Sequence, residues 1–277
     1  MRASFAKAKA PVLASVVKER TVRDAICAIR SSEYAGATAI DLHVSTLDPE
    51  FKNVESIKKI LDCTKLPVLI LNYNHTYEIE TYDATEEERV GLLEMGAAAG
   101  ASAVDIQGYT FNLGVKHDFI DTYATDDMLF AAKKPKEVAL DPETVQKQIE
   151  FIDRMHAQGT EVLLSCHTQV NLNTEEALCL AKLLEKRNPD VIKLVMPCDT
   201  DEELIEQFKT MITIKKEISC PVHFHCTGAK GKVTRVVNPL LGAHLAFCIE
   251  RYGINQSTDQ LDLRTYSQAI ELLERGL

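Results

Sequence analysis

The chain has 277 residues, 45% of them apolar and 26% charged, with a formal charge of −10. These are ordinary values for a globular protein long enough to bury a large core. The acidic balance argues against DNA or RNA as a partner, because phosphate binding needs a basic stripe. No apolar run reaches the roughly 18 residues that a spanning helix requires, so no membrane partner is expected.

The first residues, MRASFAKAKAPVL, are basic but lack the apolar run of a signal peptide, which predicts a cytoplasmic protein. The eight cysteines (27, 63, 166, 179, 198, 220, 226 and 248) form no C-x-x-C pair and no zinc-finger spacing. Several sit in apolar runs such as LLSC and LAFC, where Cys acts as a small buried hydrophobe of a reducing compartment.

Short apolar, β-branched runs alternate with longer helical patterns along the whole chain. The predicted strands open with Pro11–Val17, Ala37–Val44 and Leu66–Asn72. A helix start follows at Thr85-x-x-Glu88, where hydroxyl and carboxylate satisfy each other's orphan amides. Ser102–Gln107 is the fourth strand, and Asp141-Pro142 is a cap with proline at the first helical position. Then come Glu161–Cys166, a second capping signal at Asn173-x-x-Glu176, Asp190–Met196 and a third at Thr200-x-x-Glu203. Cys220–His225 and Ala243–Cys248 complete eight strands. Eight strand–helix alternations predict a (β/α)8 TIM barrel, a single α/β domain over residues 1–277. An open doubly wound sheet fits less well, since no Gly-x-Gly-x-x-Gly follows the first strand.

Residues 108–139 break the rhythm. They follow the fourth strand and are too long for an ordinary connection. Their aromatics (Tyr109, Phe111, Phe119, Tyr123 and Phe130) can pack, so the segment reads as an ordered insertion. At the catalytic face of a barrel it is a candidate lid, and a decorative insertion with its own small core is the plainer alternative.

Strand six reads DVIKLVM, and a period of two puts Val191, Lys193 and Val195 on one face. A lysine facing a barrel interior is costly to bury charged, and desolvation favours the free amine, which can attack a carbonyl. The bland reading is a lysine snorkelling to water. Strand five places Leu163, Ser165 and His167 on one face, with His167 at the C-terminal end where barrel active sites lie. An imine-forming lysine beside a general base suffices to remove a proton next to a carbonyl. Strand two carries Asp41 and His43 on one face, and Asp41 is suited to orient His167 or to bind a substrate hydroxyl. Strand seven carries His223 and His225 on one face. The following loop, with Gly228 and Gly231, leads to Arg235, a bidentate clamp for a carboxylate.

Together, LLSCHT with His167, DVIKLVMP with Lys193 and PVHFHCTGAKGKVTR with Arg235 resemble the type I 3-dehydroquinate dehydratase family, the Schiff-base enzymes of the shikimate pathway. The resemblance implies that Lys193 forms an imine with a ketone, that His167 acts as general base and then acid, and that Arg235 binds a substrate carboxylate. It implies no cofactor, a small hydroxylated ketone or keto acid as the partner, and a homodimer. The chain also departs from the family. Asp41-Leu42-His43 stands where the family has Glu-x-Arg, Leu71-Asn72-Tyr73 where it has Thr-Phe-Arg, and Gln107 where it has a glutamate. The family's C-terminal glutamine maps near Gln256.

The expected site is therefore Lys193, His167 and Asp41 as catalytic groups, with His43, Tyr73, Gln107, His225, Arg235 and Gln256 binding a substrate other than 3-dehydroquinate. A metal-dependent lyase or aldolase using Asp41, His43, His223 and His225 is the alternative. A third reading is a non-catalytic barrel that only binds a ligand or partner.

Overall fold

A computed structural model describes residues 2–73, 84–252 and 259–275 of the chain. All eight predicted strands form, with ends within two residues of their expected positions, and a short ninth strand joins them. The sheet order is β7-β6-β5-β4-β3-β2-β1-β8-β9, so each of the first seven strands neighbours its sequence neighbour and β1 lies between β2 and β8. The described pairings are parallel. The chain divides into two compact units, with boundaries inside β4 and β8.

The first unit comprises residues 1–105, 158–160 and 246–277. It holds β1 (Val12–Val17), α1 (Val22–Tyr34), β2 (Ala39–His43), α2 (Val54–Leu61), β3 (Val68–Leu71) and α3 (Glu86–Ala98). It also contains the start of β4 (Ala103–Gln107). VLASVV and VLIL are buried throughout, as expected of parallel strands covered on both faces. The predicted box of Thr85 and Glu88 caps α3. That helix lies so close to β3 that a methyl at Gly96 would stand 2.7 Å from Ile70 Cδ1. Buried Arg89 donates to both Glu86 carboxylate oxygens at 2.8 Å, and Asn72 Nδ2 donates to the Arg89 carbonyl at 2.9 Å, which fixes the end of β3.

The second unit comprises residues 106–157 and 161–245. After the end of β4 it contains α4 (Gly114–His117), α5 (Pro142–Ala157), β5 (Glu161–His167), α6 (Thr174–Glu185) and β6 (Val191–Pro197). Then follow α7 (Asp201–Glu217), β7 (Val222–Thr227), α8 (Gly231–Leu241) and the first residue of β8 (Leu245–Ile249). β9 (Leu261–Asp262) and α9 (Leu263–Arg275) belong to the first unit. The expected boxes at Asn173 and Thr200 cap α6 and α7, and Asp141 Oδ1 accepts from Thr144 N at 2.8 Å at the start of α5. The His244 amide donates to Val222 O at 2.8 Å, which attaches the entry to β8 onto β7.

Residues 108–139 pack through several of their aromatics. Tyr109 packs with Val115 and Ala139, Phe130 is fully buried, and Phe111 meets the Phe151 ring edge-on; Tyr123 is exposed. Both stems of the segment are gripped by one buried polar network. Gln148 Nε2 donates to Gly108 O at 3.1 Å and to Thr110 O at 2.8 Å. Arg187, 1% exposed, donates to Gln148 Oε1 and, at 2.6 Å, to Ala139 O. The cysteines are all free thiols; 166, 198, 226 and 248 are buried as expected, whereas Cys27 is exposed and 63, 179 and 220 are half-buried.

Replacing Arg187 by Met leaves the Ala139 carbonyl and the Gln148 amide oxygen without their charged donor. We expect Arg187→Met to lower stability by about 3 kcal/mol, read as a shift of the urea midpoint.

Candidate active site

In the second unit, the register of β5, β6 and β7 sets out the reactive side chains. Ser165 pairs with Lys193 and Lys193 with His223; one step further along, His167 pairs with Val195 and Val195 with His225. Paired residues on parallel strands project from the same face, so the three strands present two rows, Ser165–Lys193–His223 and His167–Val195–His225. Lys193 therefore lies one step below and between two imidazoles, and it is 6% exposed. A one-residue slip would turn all of these groups to the other face. The apolar residues at Ile192, Leu194 and Phe224, each 0% exposed, specify the register against it.

His167 is oriented by a carboxylate that the sequence did not point to. Its Nδ1 lies 2.8 Å from Glu137 Oε2, and its backbone amide donates to the same oxygen at 3.0 Å. A carboxylate accepts, so the ring hydrogen sits on Nδ1 and the lone pair of the neutral ring on Nε2. Glu137 comes from the far stem of the 108–139 segment, which runs against β5: Lys136 N donates to Thr168 O and Glu137 N to Val115 O, both at 2.8 Å. Its φ of +59° is a left-handed conformation that costs a non-glycine residue free energy. Gly108 completes the arrangement, since a methyl there would collide with the Glu137 carbonyl oxygen.

On β7, His223 Nδ1 lies 2.8 Å from Leu245 O, and His223 Nε2 lies 2.7 Å from His225 Nδ1. Both imidazoles are held well below the usual histidine range. For His223 the main cause is burial, then the Lys193 charge; for His225 it is burial, then the Arg235 charge. Arg235 lies half-buried on α8, and Gln107 ends β4, 1% exposed.

The first unit holds its own polar cluster. His43 Nε2 is 3.4 Å from Asp41 Oδ2, Tyr73 Oη donates to Asp105 Oδ2 at 2.8 Å, and the His43 and Tyr73 rings are 6.5 Å apart. Lys18, just past β1, is pushed down to about 8 by burial, against the opposing pull of Asp41 and Asp259. Lys18 and Asp105 were not singled out from the sequence, although Asp105 shares the period-two face of Gln107. Gln256 lies outside the described residues.

The metal cluster considered as an alternative is not assembled. Among the described residues, no group of three or more His, Cys, Asp or Glu side chains is placed to hold an ion. His223 has both ring nitrogens engaged by Leu245 and His225.

Because His223 and His225 stay neutral in the fold while an unfolded chain protonates them near about 6.5, the unfolded state binds more protons below that value. Stability is therefore expected to be full above about pH 6.5 and to fall as the pH drops below it. A His223→Phe, His225→Phe variant should show a shallower decline of the urea midpoint between pH 7 and 5; an identical decline would place the titration elsewhere.

The chain is similar to known proteins in sequence and in fold. The 3-dehydroquinate dehydratase of Staphylococcus epidermidis is 26% identical over 113 residues, 38% of this chain and 45% of that enzyme, so the match spans less than half of the relative's length. The 3-dehydroquinate dehydratase of Desulfotalea psychrophila is 24% identical over 221 residues, 77% of each chain. The solved type I 3-dehydroquinate dehydratase of Clostridium difficile, which carries covalently modified comenic acid, superposes with a TM-score of 0.73 at 13% identity. That match covers 98% of this chain and 95% of that one. The fold is accordingly the α/β TIM barrel of those enzymes. Residues 13–276 match the family described as Type I 3-dehydroquinase, and the chain belongs to that family.

Proposed function

We propose that this protein is a dehydratase, a carbon–oxygen lyase that forms an imine between Lys193 and a hydroxylated ketone or keto acid and eliminates water. The observation that supports this reading most is the His167–Glu137 pair on the strand beside Lys193, because it leaves His167 Nε2 as a base on the face that carries the amine. The Lys193 nitrogen attacks the ketone carbonyl, and loss of water gives the iminium, which acidifies the neighbouring C–H. His167 Nε2 takes that proton to give the enamine, and Glu137 stabilises the imidazolium that forms. The imidazolium returns the proton to the β-hydroxyl, which leaves as water. Hydrolysis of the conjugated imine then releases the enone and regenerates the amine. The lysine is the electron sink, so the steps call for no cofactor. The covalently modified ligand of the Clostridium difficile relative is in keeping with covalent chemistry on this fold.

Arg235 would bind a substrate carboxylate, and Gln107, Asp41, His43 and Tyr73 would read hydroxyls. The 108–139 segment, pinned at both stems, would cover the bound ligand as a lid. The substrate we infer is not 3-dehydroquinate, since two arginines of the family pattern are replaced here by His43 and Tyr73.

Borohydride reduction in the presence of cyclic and acyclic hydroxy-ketones should add the mass of the reduced ligand to Lys193, and no adduct across the panel would overturn the imine. His167→Ala should still be trapped yet lose about 10²- to 10⁴-fold in elimination rate. Glu137→Gln should lose about a hundredfold or more in kcat. Turnover of 3-dehydroquinate as efficient as that of any other panel member would remove the substrate part of the reading and leave the imine standing.

A further inference from the structure

The proposed elimination uses one imidazole, and β7 carries two more. Their contacts settle which ring nitrogens bear hydrogen. A backbone carbonyl only accepts, so the contact of His223 Nδ1 with Leu245 O puts a hydrogen on Nδ1. A neutral ring has one such hydrogen, so His223 Nε2 is an acceptor and takes its bond from His225 Nδ1. His225 Nε2 is then a bare acceptor, and among the described residues it has no hydrogen-bond partner. Burial and the Arg235 and Lys193 charges keep this ring uncharged.

His167 and His225 thus share one tautomer for different reasons. His167 is backed by a carboxylate, which favours taking a proton in the reaction. His225 is backed by a neutral ring and a carbonyl, with the Arg235 charge nearby, which disfavours it. What remains for His225 is to accept a hydrogen bond. Its place is set by register: it occupies the same row as His167, one strand beyond Val195, on the opposite side of the strand that carries Lys193.

We propose that His225 Nε2 accepts a hydrogen bond from a hydroxyl of the ketone held on Lys193, on the arm directed toward β7 and away from the C–H that His167 deprotonates. The assignment rests on the imine reading above and adds a residue that selects the substrate. A hydroxyl satisfies the acceptor, a methyl leaves it desolvated and unpaired, and a carboxylate brings its lone pairs against another lone pair. The ligand class is therefore a ketone hydroxylated on that arm, with any carboxylate placed elsewhere.

The test is borohydride trapping of the intact protein with hydroxyacetone and with acetone, the Lys193 adduct being measured by peptide mass spectrometry. In the wild-type protein hydroxyacetone should be trapped in preference to acetone. His225→Phe, which keeps a ring but no acceptor, should lower that preference about tenfold. His225→Gln, whose amide oxygen can accept, should keep most of it. An undiminished preference in His225→Phe overturns the proposal and leaves the imine intact, and an equal loss in His225→Gln overturns it too by assigning the effect to packing. Absence of a Lys193 adduct in the wild-type protein overturns both readings. Should His225→Phe fail to fold, ¹⁵N NMR of the wild-type imidazoles decides: hydrogen on His225 Nδ1 and a bare Nε2 from pH 8 to 5 is expected, and the other tautomer or an imidazolium is decisive against it.

Discussion

A fully buried guanidinium holds the candidate site in register. Arg187 binds Gln148 Oε1 and the Ala139 carbonyl, while Gln148 holds the carbonyls of Gly108 and Thr110. The two ends of a 32-residue excursion are thereby brought to the same place beside β5. Burial pushes Arg187 down to about 10, far enough above neutrality for the guanidinium to remain a cation, so its bonds to carbonyl oxygens are charge-assisted. Only with both stems fixed can Glu137 persist in a left-handed conformation against His167 Nδ1. The conformational cost at Glu137 is of order 1–3 kcal/mol, well within what such a network contributes.

The same hydrogen-bonding logic distinguishes the imidazoles. In His167 and His225 the Nδ1 hydrogen is committed to an acceptor, which puts the lone pair on Nε2. The nature of the acceptor behind the ring separates their chemistry. In the proposed elimination the carboxylate behind His167 would compensate the charge of an imidazolium, whereas the carbonyl and neutral ring behind His225 would offer no such compensation. The Arg235 charge beside His225 deepens the difference. Two rings of the same tautomer on one face can then serve as proton carrier and as hydrogen-bond acceptor without exchanging roles.

The strand–helix alternation was legible because parallel strands covered on both faces are written as continuous apolar runs, and the helix starts because Thr85, Asn173 and Thr200 each precede a carboxylate by three residues. Lys193 and His167 were legible because a charged or titratable residue in such a run stands out. Glu137 was not. It lies 30 residues from its partner in a stretch without period, and its position depends on a left-handed turn and a buried network that no local pattern announces. Lys18 and Asp105 carry weaker signals, a lysine just beyond a strand and an acid two residues before Gln107, and only the packing makes them neighbours of Asp41 and Tyr73 respectively.

The division between what is kept and what has changed follows from where each group is anchored. The spacing of His167 and Lys193 is a property of the β5–β6 register, which the buried residues on the opposite face enforce, so it cannot drift by one residue without inverting the sheet's faces. The carboxylate beside His167 is carried by a loop stem and is under no such constraint. Where the family pattern has an acid at position 107, this chain has glutamine, and an acid returns at 137 beside the imidazole. The family pattern also has two arginines where this chain has His43 and Tyr73. In their place the first unit gathers Asp41, Asp105, His43, Tyr73 and Lys18, which burial lowers to about 8. On the reading proposed above, a sheet that fixes the amine–imidazole pair, with strand ends and loops that vary, would let one eliminating chemistry be directed at a different ligand.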